Sequence, residues 1–207
     1  MPRDEIVLYG TELSGHAHRV ALLLRALDLP YRFEVADATR RKSAEFRTLN
    51  PLGQIPVLRD GDVLLADSNA IMVYLVKRYA PTSDWLHDDP VTAAAVQRWL
   101  SIAAGEVRYG PAMARGALQW NMPGDPVLAA EIAGRLLGFM EQHLSDREWL
   151  AASHITLADL ACYSYVAHAP EGGIPLEPYP CVRRWLARVE AQPWFKPMPA
   201  SPLPGDA

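Results

Sequence analysis

A chain of 207 residues, half of them apolar, is long enough to bury a sizeable core in one large domain or two small ones. A formal charge of −4 with scattered Lys and Arg leaves no basic footprint for nucleic acid, and no apolar run is long enough for a membrane span. Asp4 and Glu5 stand where a signal peptide carries its apolar run, and Cys162 and Cys181 are far apart with no CxxC, so the expectation is a cytoplasmic protein without a disulfide framework.

The first 80 residues alternate element types. Glu5 to Tyr9 reads as a short strand, and Val20, Leu23, Leu24 and Leu27 then recur at helical spacing. Tyr31 to Val35 alternates like a second strand, and Ser43 to Leu49 suits a short helix. Pro56 to Leu58 and Val63 to Leu65 flank Asp60-Gly61-Asp62 as a hairpin, and Asn69 to Tyr79 closes the unit as a helix. The order β-α-β-α-β-β-α is that of a thioredoxin-like domain, an α/β layer on one mixed sheet, here residues 1–80.

Residues 81–90, rich in prolines and acids, form the expected linker, and residues 91–207 the all-α domain. Val91 to Leu118 and Val127 to Leu144 each keep a helical period. Thr156 and Asp159 have the form of a capping box, with Asp in place of the longer Glu, and the helix after them is apolar nearly all round, which predicts a central position. Val182 to Val189 is a last amphipathic helix before a tail with five prolines. Trp99, Trp149, Trp185 and Trp194 read as core, and Cys162, among apolar neighbours, as a buried thiol.

The stretch "NPLGQIPVLRDGDVLLADSNAI", residues 50–71, carries the chemistry. Ile55-Pro56 at a strand start is a candidate cis bond, which turns the N–H and C=O of Ile55 outward to pair with a short peptide as an added strand would. Asp67 and Ser68 begin a helix, where unpaired N–H groups and the positive dipole end favour a carboxylate. Backbone pairing beside an anion site suits a short, charged peptide.

With "TELSGHAHRV" before the first helix and "ITLADLACY" in the second half, this stretch resembles the cytosolic glutathione S-transferase family, in its serine-type, bacterial-like form, and the resemblance covers the whole chain. It implies a detoxification transferase: a thioredoxin-like domain binding glutathione as co-substrate, an all-α domain lining a site for a small hydrophobic electrophile, and a homodimer. The γ-glutamyl end then meets Asp67 and Ser68, the cysteinyl backbone pairs with Ile55 beside Pro56 and Gln54, and one of Arg40, Arg41 or Lys42 meets the glycyl carboxylate. The same resemblance places Arg108, Tyr109 and Met113 over the glutathione sulfur, although on their residue types alone they read equally as helix surface or dimer contact.

Such chemistry needs a thiolate, because a free thiol is mostly protonated at neutral pH. Ser14, at the turn into the first helix, suits a hydrogen-bond donor to that sulfur, and it equally suits a plain N-cap. The resemblance favours the donor, since serine-type classes carry this Ser about five residues before an Arg-Val, here Arg19-Val20. Tyr9 is the competitor: other classes use a tyrosine at the end of the first strand, whereas the Cys of the beta class is missing near position 14. His16 and His18, two apart on a helix, do not share a face, so no metal site is expected. Two alternatives stay open beside the transferase: peroxide reduction at the same site, and a binding protein that keeps the fold without turnover.

Overall fold

The computed structural model describes residues 5–205, so the reading of Met1 to Asp4 and the expected domain limits at 1 and 207 lie outside the described residues. The chain divides into two compact units. One runs up to Ser83 and takes in Trp194–Met198; the other comprises Asp84–Pro193 and the chain from Pro199. A boundary at residue 91 places Trp194–Met198 with the helices, whereas the structure builds it into the first unit.

In the first unit, β1 (Ile6–Gly10) is buried along its whole length, as a central strand of apolar residues must be. Helix α1 (Gly15–Ala26) follows, then β2 (Tyr31–Val35), α2 (Ala38–Lys42), α3 (Ala44–Leu49), β3 (Val57–Asp60), β4 (Val63–Ala66) and α4 (Ser68–Tyr79). The sheet order is β2-β1-β3-β4, with β1 and β2 parallel and the other pairs antiparallel, so the expected thioredoxin-like layer is present. Helix α2 is an addition to the expected order: Asp37 caps it through the Arg40 N–H at 2.8 Å, and its ATRRK sequence buries no residue and carries no apolar period.

Register is what assembles the candidate site. Tyr9 stands opposite Val57, Val57 opposite Ala66, and Gly10 beside Val35. One end of the sheet therefore carries the exit of β1, the exit of β2, the entry of β3 at Ile55-Pro56 and the exit of β4 at Asp67. The Ile55-Pro56 bond is cis, as expected. Helix α1 approaches β1 closely because residue 10 is glycine: a Cβ there would lie 2.6 Å from that of Ala17.

In the second unit a single turn of 3₁₀ helix at Asp84–Leu86 precedes α5 (Pro90–Ile102), whose first residue is the proline assigned to the linker. The expected helix from Val91 to Leu118 is one continuous rod in three parts: α5, a π-helical stretch over Ala103–Ala112, and α6 (Met113–Trp120). Pro111 lies inside the π stretch, where it contributes no N–H to the ladder. Helix α7 (Pro126–His143) crosses this stretch at Gly110, where a Cβ would come within 2.9 Å of the Ala133 backbone. Helix α8 (Leu157–Ala167) starts at a complete capping box of Thr156 and Asp159 and is buried from Leu157 to Val166, the central position its composition predicts. Asp159 also accepts from Leu150 N–H at 3.0 Å and Trp185 Nε1–H at 2.9 Å, tying α9 (Pro180–Glu190) to the start of α8. Trp99, Trp149, Trp185 and Cys162 are buried, while Trp194 is half-buried in the first unit. No helix among the described residues is long and apolar enough to cross a membrane.

Candidate active site

Ser14 is the N-cap of α1, its Oγ accepting from Ala17 N–H at 3.3 Å. A hydroxyl has two lone pairs and one proton, and capping uses a lone pair. The cap and the donor roles are therefore compatible: capping leaves the Ser14 O–H, at the positive end of α1, able to donate.

Across the same sheet end, Asp67 caps α4 from a backbone at φ +74, a region that costs a non-glycine residue free energy and is concentrated at functional sites. Its Oδ1 accepts from Asn69 N–H at 2.9 Å and Ala70 N–H at 3.0 Å. The helix start is thus partly filled by its own side chain, which refines the simple anion-site expectation. What it offers a ligand is mixed: the Ser68 N–H as donor and the remaining Asp67 carboxylate oxygen as acceptor. Ser68 is buried, and its Oγ receives Arg19 Nη1 at 3.4 Å.

Arg19 belongs to this sheet end by its contacts. Almost fully buried one turn after the cap of α1, it also reaches Asn69 Oδ1 at 3.1 Å, so the helix carrying Ser14 and the helix carrying Ser68 are cross-linked by one guanidinium. Asn50 plays the same part for the loop, donating from Nδ2 to the Gln54 carbonyl at 2.9 Å and accepting from Leu52 N–H at 3.1 Å. Sequence reasoning gave neither residue a role; a buried Arg in an apolar helical stripe and an Asn before Pro51 were the available signals. Gln54 is exposed and Ile55 half-buried, outside the β3 ladder that starts at Val57.

The basic residues separate by environment. Arg40 is held by Glu34 at 2.9 Å and the Val35 carbonyl at 2.7 Å, with its guanidinium 5.4 Å from the Tyr9 ring centre. Arg41 donates to the Asp37 carbonyl at 3.3 Å. Lys42 is exposed at the end of α2, which abuts the Gly53 turn, where a Cβ would lie 3.0 Å from the Arg41 carbonyl. Tyr9 is only 5 % exposed and packs edge-on against Phe46 at 6.4 Å, in a cluster with Val7, Ala36 and Val57.

His18 is turned away to the Lys196 carbonyl, 2.8 Å from its Nε2–H, and His16 is half-buried in the first turn of α1. Among the described residues no group of three or more His, Cys, Asp or Glu is placed to hold a metal ion.

In the second unit, Arg108 and Tyr109 lie on the π stretch and Met113 opens α6. The Arg108 guanidinium stands 5.7 Å from the Tyr109 ring centre, and Tyr109 is half exposed. Met113 sulfur lies against Gly124, where a Cβ would be only 2.6 Å away, so the loop after α6 folds back over its start.

Residues 8–83 match the family model for the glutathione S-transferase N-terminal domain, and residues 128–193 match that for its C-terminal domain. Glutathione S-transferase 3 of Zea mays is 32 % identical over 95 % of each chain. The crystal structure of a glutathione S-transferase from Pseudomonas fluorescens Pf-5 superposes with a TM-score of 0.87 at 30 % identity, covering 93 % of this chain and 98 % of that one. A glutathione transferase homologue from Drosophila mojavensis, solved with bound glutathione, gives 0.80 at 29 % identity over 92 % and 90 % of the two chains. The chain belongs to the glutathione S-transferase family of enzymes, which takes glutathione as co-substrate.

Proposed function

We propose that the chain binds glutathione at this end of the sheet, stabilises its thiolate with Ser14, and directs it at a small hydrophobic electrophile. The observation that carries the reading is Ser14 itself: an N-cap whose oxygen is engaged by Ala17 N–H and whose proton remains to donate, on the same sheet end as Ile55 and Asp67. The γ-glutamyl ammonium pairs with the Asp67 carboxylate, and its carboxylate with the Ser68 N–H. Ile55 pairs with the cysteinyl backbone, flanked by Gln54 and Pro56. Lys42 takes the glycyl carboxylate, because Arg40 is already committed to Glu34 and Val35.

The sulfur then lies at the positive end of α1, where the Ser14 hydroxyl and the helix dipole both favour the charged form over the thiol. Thiolate attack forms the C–S bond, and the leaving group or a proton balances the charge. Arg108 answers the negative charge that develops on the electrophile, with Tyr109 and Met113 as apolar wall. The protein works as a cytoplasmic, detoxifying homodimer. Packing of Tyr9 against Phe46 supports a structural part for that tyrosine.

The test is Ser14→Ala. Glutathione affinity should change little, while the bound thiol, followed by thiolate absorbance against pH, should titrate about one unit higher, roughly the loss of one hydrogen bond to a charge. Conjugation of an activated haloarene should fall about tenfold at neutral pH. An unshifted thiol in Ser14→Ala would reject the role of Ser14. No turnover by the unsubstituted protein, with either electrophiles or hydroperoxides, would leave a glutathione-binding protein without transferase activity.

A further inference from the structure

A cleft of about 620 Å³ opens at the other end of α1, lined by Arg25, Asp28, Leu29, Pro30, Tyr31 and Trp194. Its volume is that of a small-molecule site. It lies a full helix length from Ser14, so it is separate from the glutathione site proposed above.

The cleft is built from two distant parts of the chain. Arg25 Nε–H donates to the Trp194 carbonyl at 2.9 Å, which fixes the guanidinium and brings the Trp194–Met198 segment against the last turn of α1. This bond uses only Nε, and with Arg25 exposed its two terminal nitrogens remain able to donate to a ligand. Asp28 sits at φ +50 just past the helix end, its N–H bonded to the Arg25 carbonyl at 3.1 Å. Among the described residues Arg25 and Asp28 form no ion pair with each other or with any other side chain. Leu29 is buried, and Pro30 with the rings of Tyr31 and Trp194 completes an apolar wall. Burial pushes the Tyr31 phenol up, against the pull of Arg25, so it remains protonated at physiological pH.

Two opposite charges that do not neutralise each other, beside two aromatic rings, select against most simple ligands. A plain carboxylate meets Asp28, a plain amine meets Arg25, and a neutral ring strips water from both charges without replacing it. A zwitterion with an aromatic tail satisfies all of them, and a carboxylate is what an arginine fork binds best.

We propose that this cleft binds an aromatic α-amino acid group, its carboxylate on Arg25, its ammonium on Asp28 and its ring against Tyr31 and Trp194. Two sources carry that chemistry: a free aromatic amino acid, and the γ-glutamyl end of an S-aryl glutathione. The ligand touches both α1 and the returning segment, so its binding holds that segment in place.

The indole N–H resonance of Trp194 in the full chain, assigned with Trp194→Phe, is the reporter. L-phenylalanine should shift it saturably, with a dissociation constant on the order of 1 mM for a ligand of this size in an open cleft. 3-Phenylpropionate and phenethylamine, each lacking one charge, should bind about tenfold more weakly. Asp28→Asn, which keeps a residue tolerant of this backbone, should weaken L-phenylalanine about fivefold, and Arg25→Gln at least as much. Asp28→Asn removes no side-chain hydrogen bond or ion pair among the described residues, so it remains informative if Arg25→Gln loosens the segment. S-benzylglutathione, titrated with excess glutathione filling the first site, identifies the source: tighter binding than L-phenylalanine names the conjugate, weaker binding the free amino acid. Equal response to all three phenyl compounds, or no saturable shift with any probe, would overturn the proposal, whether or not the chain conjugates glutathione.

Discussion

Arg115 and Glu171, 56 residues apart, meet as a buried ion pair with Nε 2.5 Å from Oε2. The other carboxylate oxygen takes His168 Nδ1 at 2.5 Å and the Ser201 N–H at 3.0 Å. Arg115 reaches Ser201 Oγ at 3.1 Å, and Gln119 donates to the carbonyls of Glu171 and Pro202 at 2.8 Å each. One carboxylate thus joins α6, the 3₁₀ turn at Ala169–Gly172 and the end of the chain.

Glu171→Gln leaves Arg115 buried without its counter-charge, which should cost about 3 kcal/mol, read by urea unfolding. Replacing both partners by Met should recover much of that loss. Burial works against the Glu171 charge, but hydrogen bonds from Ser201, His168 and Arg115 outweigh it and hold the carboxyl below its usual range. A lowered carboxyl contributes stability above its unfolded-state value, about 4.3, and loses it as pH falls through the folded-state value. The stability of Glu171→Gln should accordingly depend less on pH than that of the unsubstituted protein between about pH 5 and pH 3.

Gly10→Ala should test the coupling between strand packing and the sulfur donor. The added methyl meets Ala17, whose N–H holds Ser14 Oγ, so α1 must shift. We expect a loss of about 2 kcal/mol, a melting temperature lower by roughly 4–8 °C, and a bound-thiol titration displaced in the direction of Ser14→Ala.

Tyr9→Phe and Tyr9→Ala should part company. The first keeps the ring against Phe46 and should leave thiolate absorbance unchanged. The second opens a cavity in the cluster and should cost about 3–4 kcal/mol in unfolding. A thiol shift in Tyr9→Phe would move the donor role from Ser14 to Tyr9.

The Tyr74 phenol is pushed up to about 12, by burial first and then by its 2.8 Å bond to the Asp60 carboxylate, which also accepts from Tyr79 at 2.5 Å. A raised phenol contributes stability that is complete below its unfolded value near 10 and is lost as pH rises through about 12. Tyrosinate absorbance should show a late-titrating group, and Asp60→Asn should bring it down towards 10.

What could be read from the sequence was local. The Asp60-Gly61-Asp62 hairpin, the caps at Ser14 and Thr156 and the all-apolar α8 each announce themselves within a few residues, and each is present. Helix α2 escaped because a short charged helix has no apolar period, its only mark being Asp37 at the cap. The π stretch escaped because its sequence, AAGEVRYGPA, has only Val107 and Tyr109 as large apolar side chains, too few to mark one helical period against another. Arg19 and the Arg115–Glu171 pair act through partners fixed only by tertiary packing, so no spacing betrays them, whereas Asn50 bonds Leu52 and Gln54 close by in a loop whose turn has no period to read.

The return of Trp194–Met198 to the first unit sets an order of events during synthesis. The ribosome delivers Ser83 and then Asp84–Pro193 before Trp194 appears, a delay on the order of 10 s at ordinary elongation rates. For that interval α1 lacks the Trp194 carbonyl on Arg25, the Lys196 carbonyl on His18 and the ring of Phe195, 6.4 Å from that of His18. Met198, buried at 4 % exposure in the finished chain, has not yet filled its place. A chain stopped before Trp194 keeps the nascent surface for good, exposing to chaperones and proteases a face that the full-length protein shows only while it is being made.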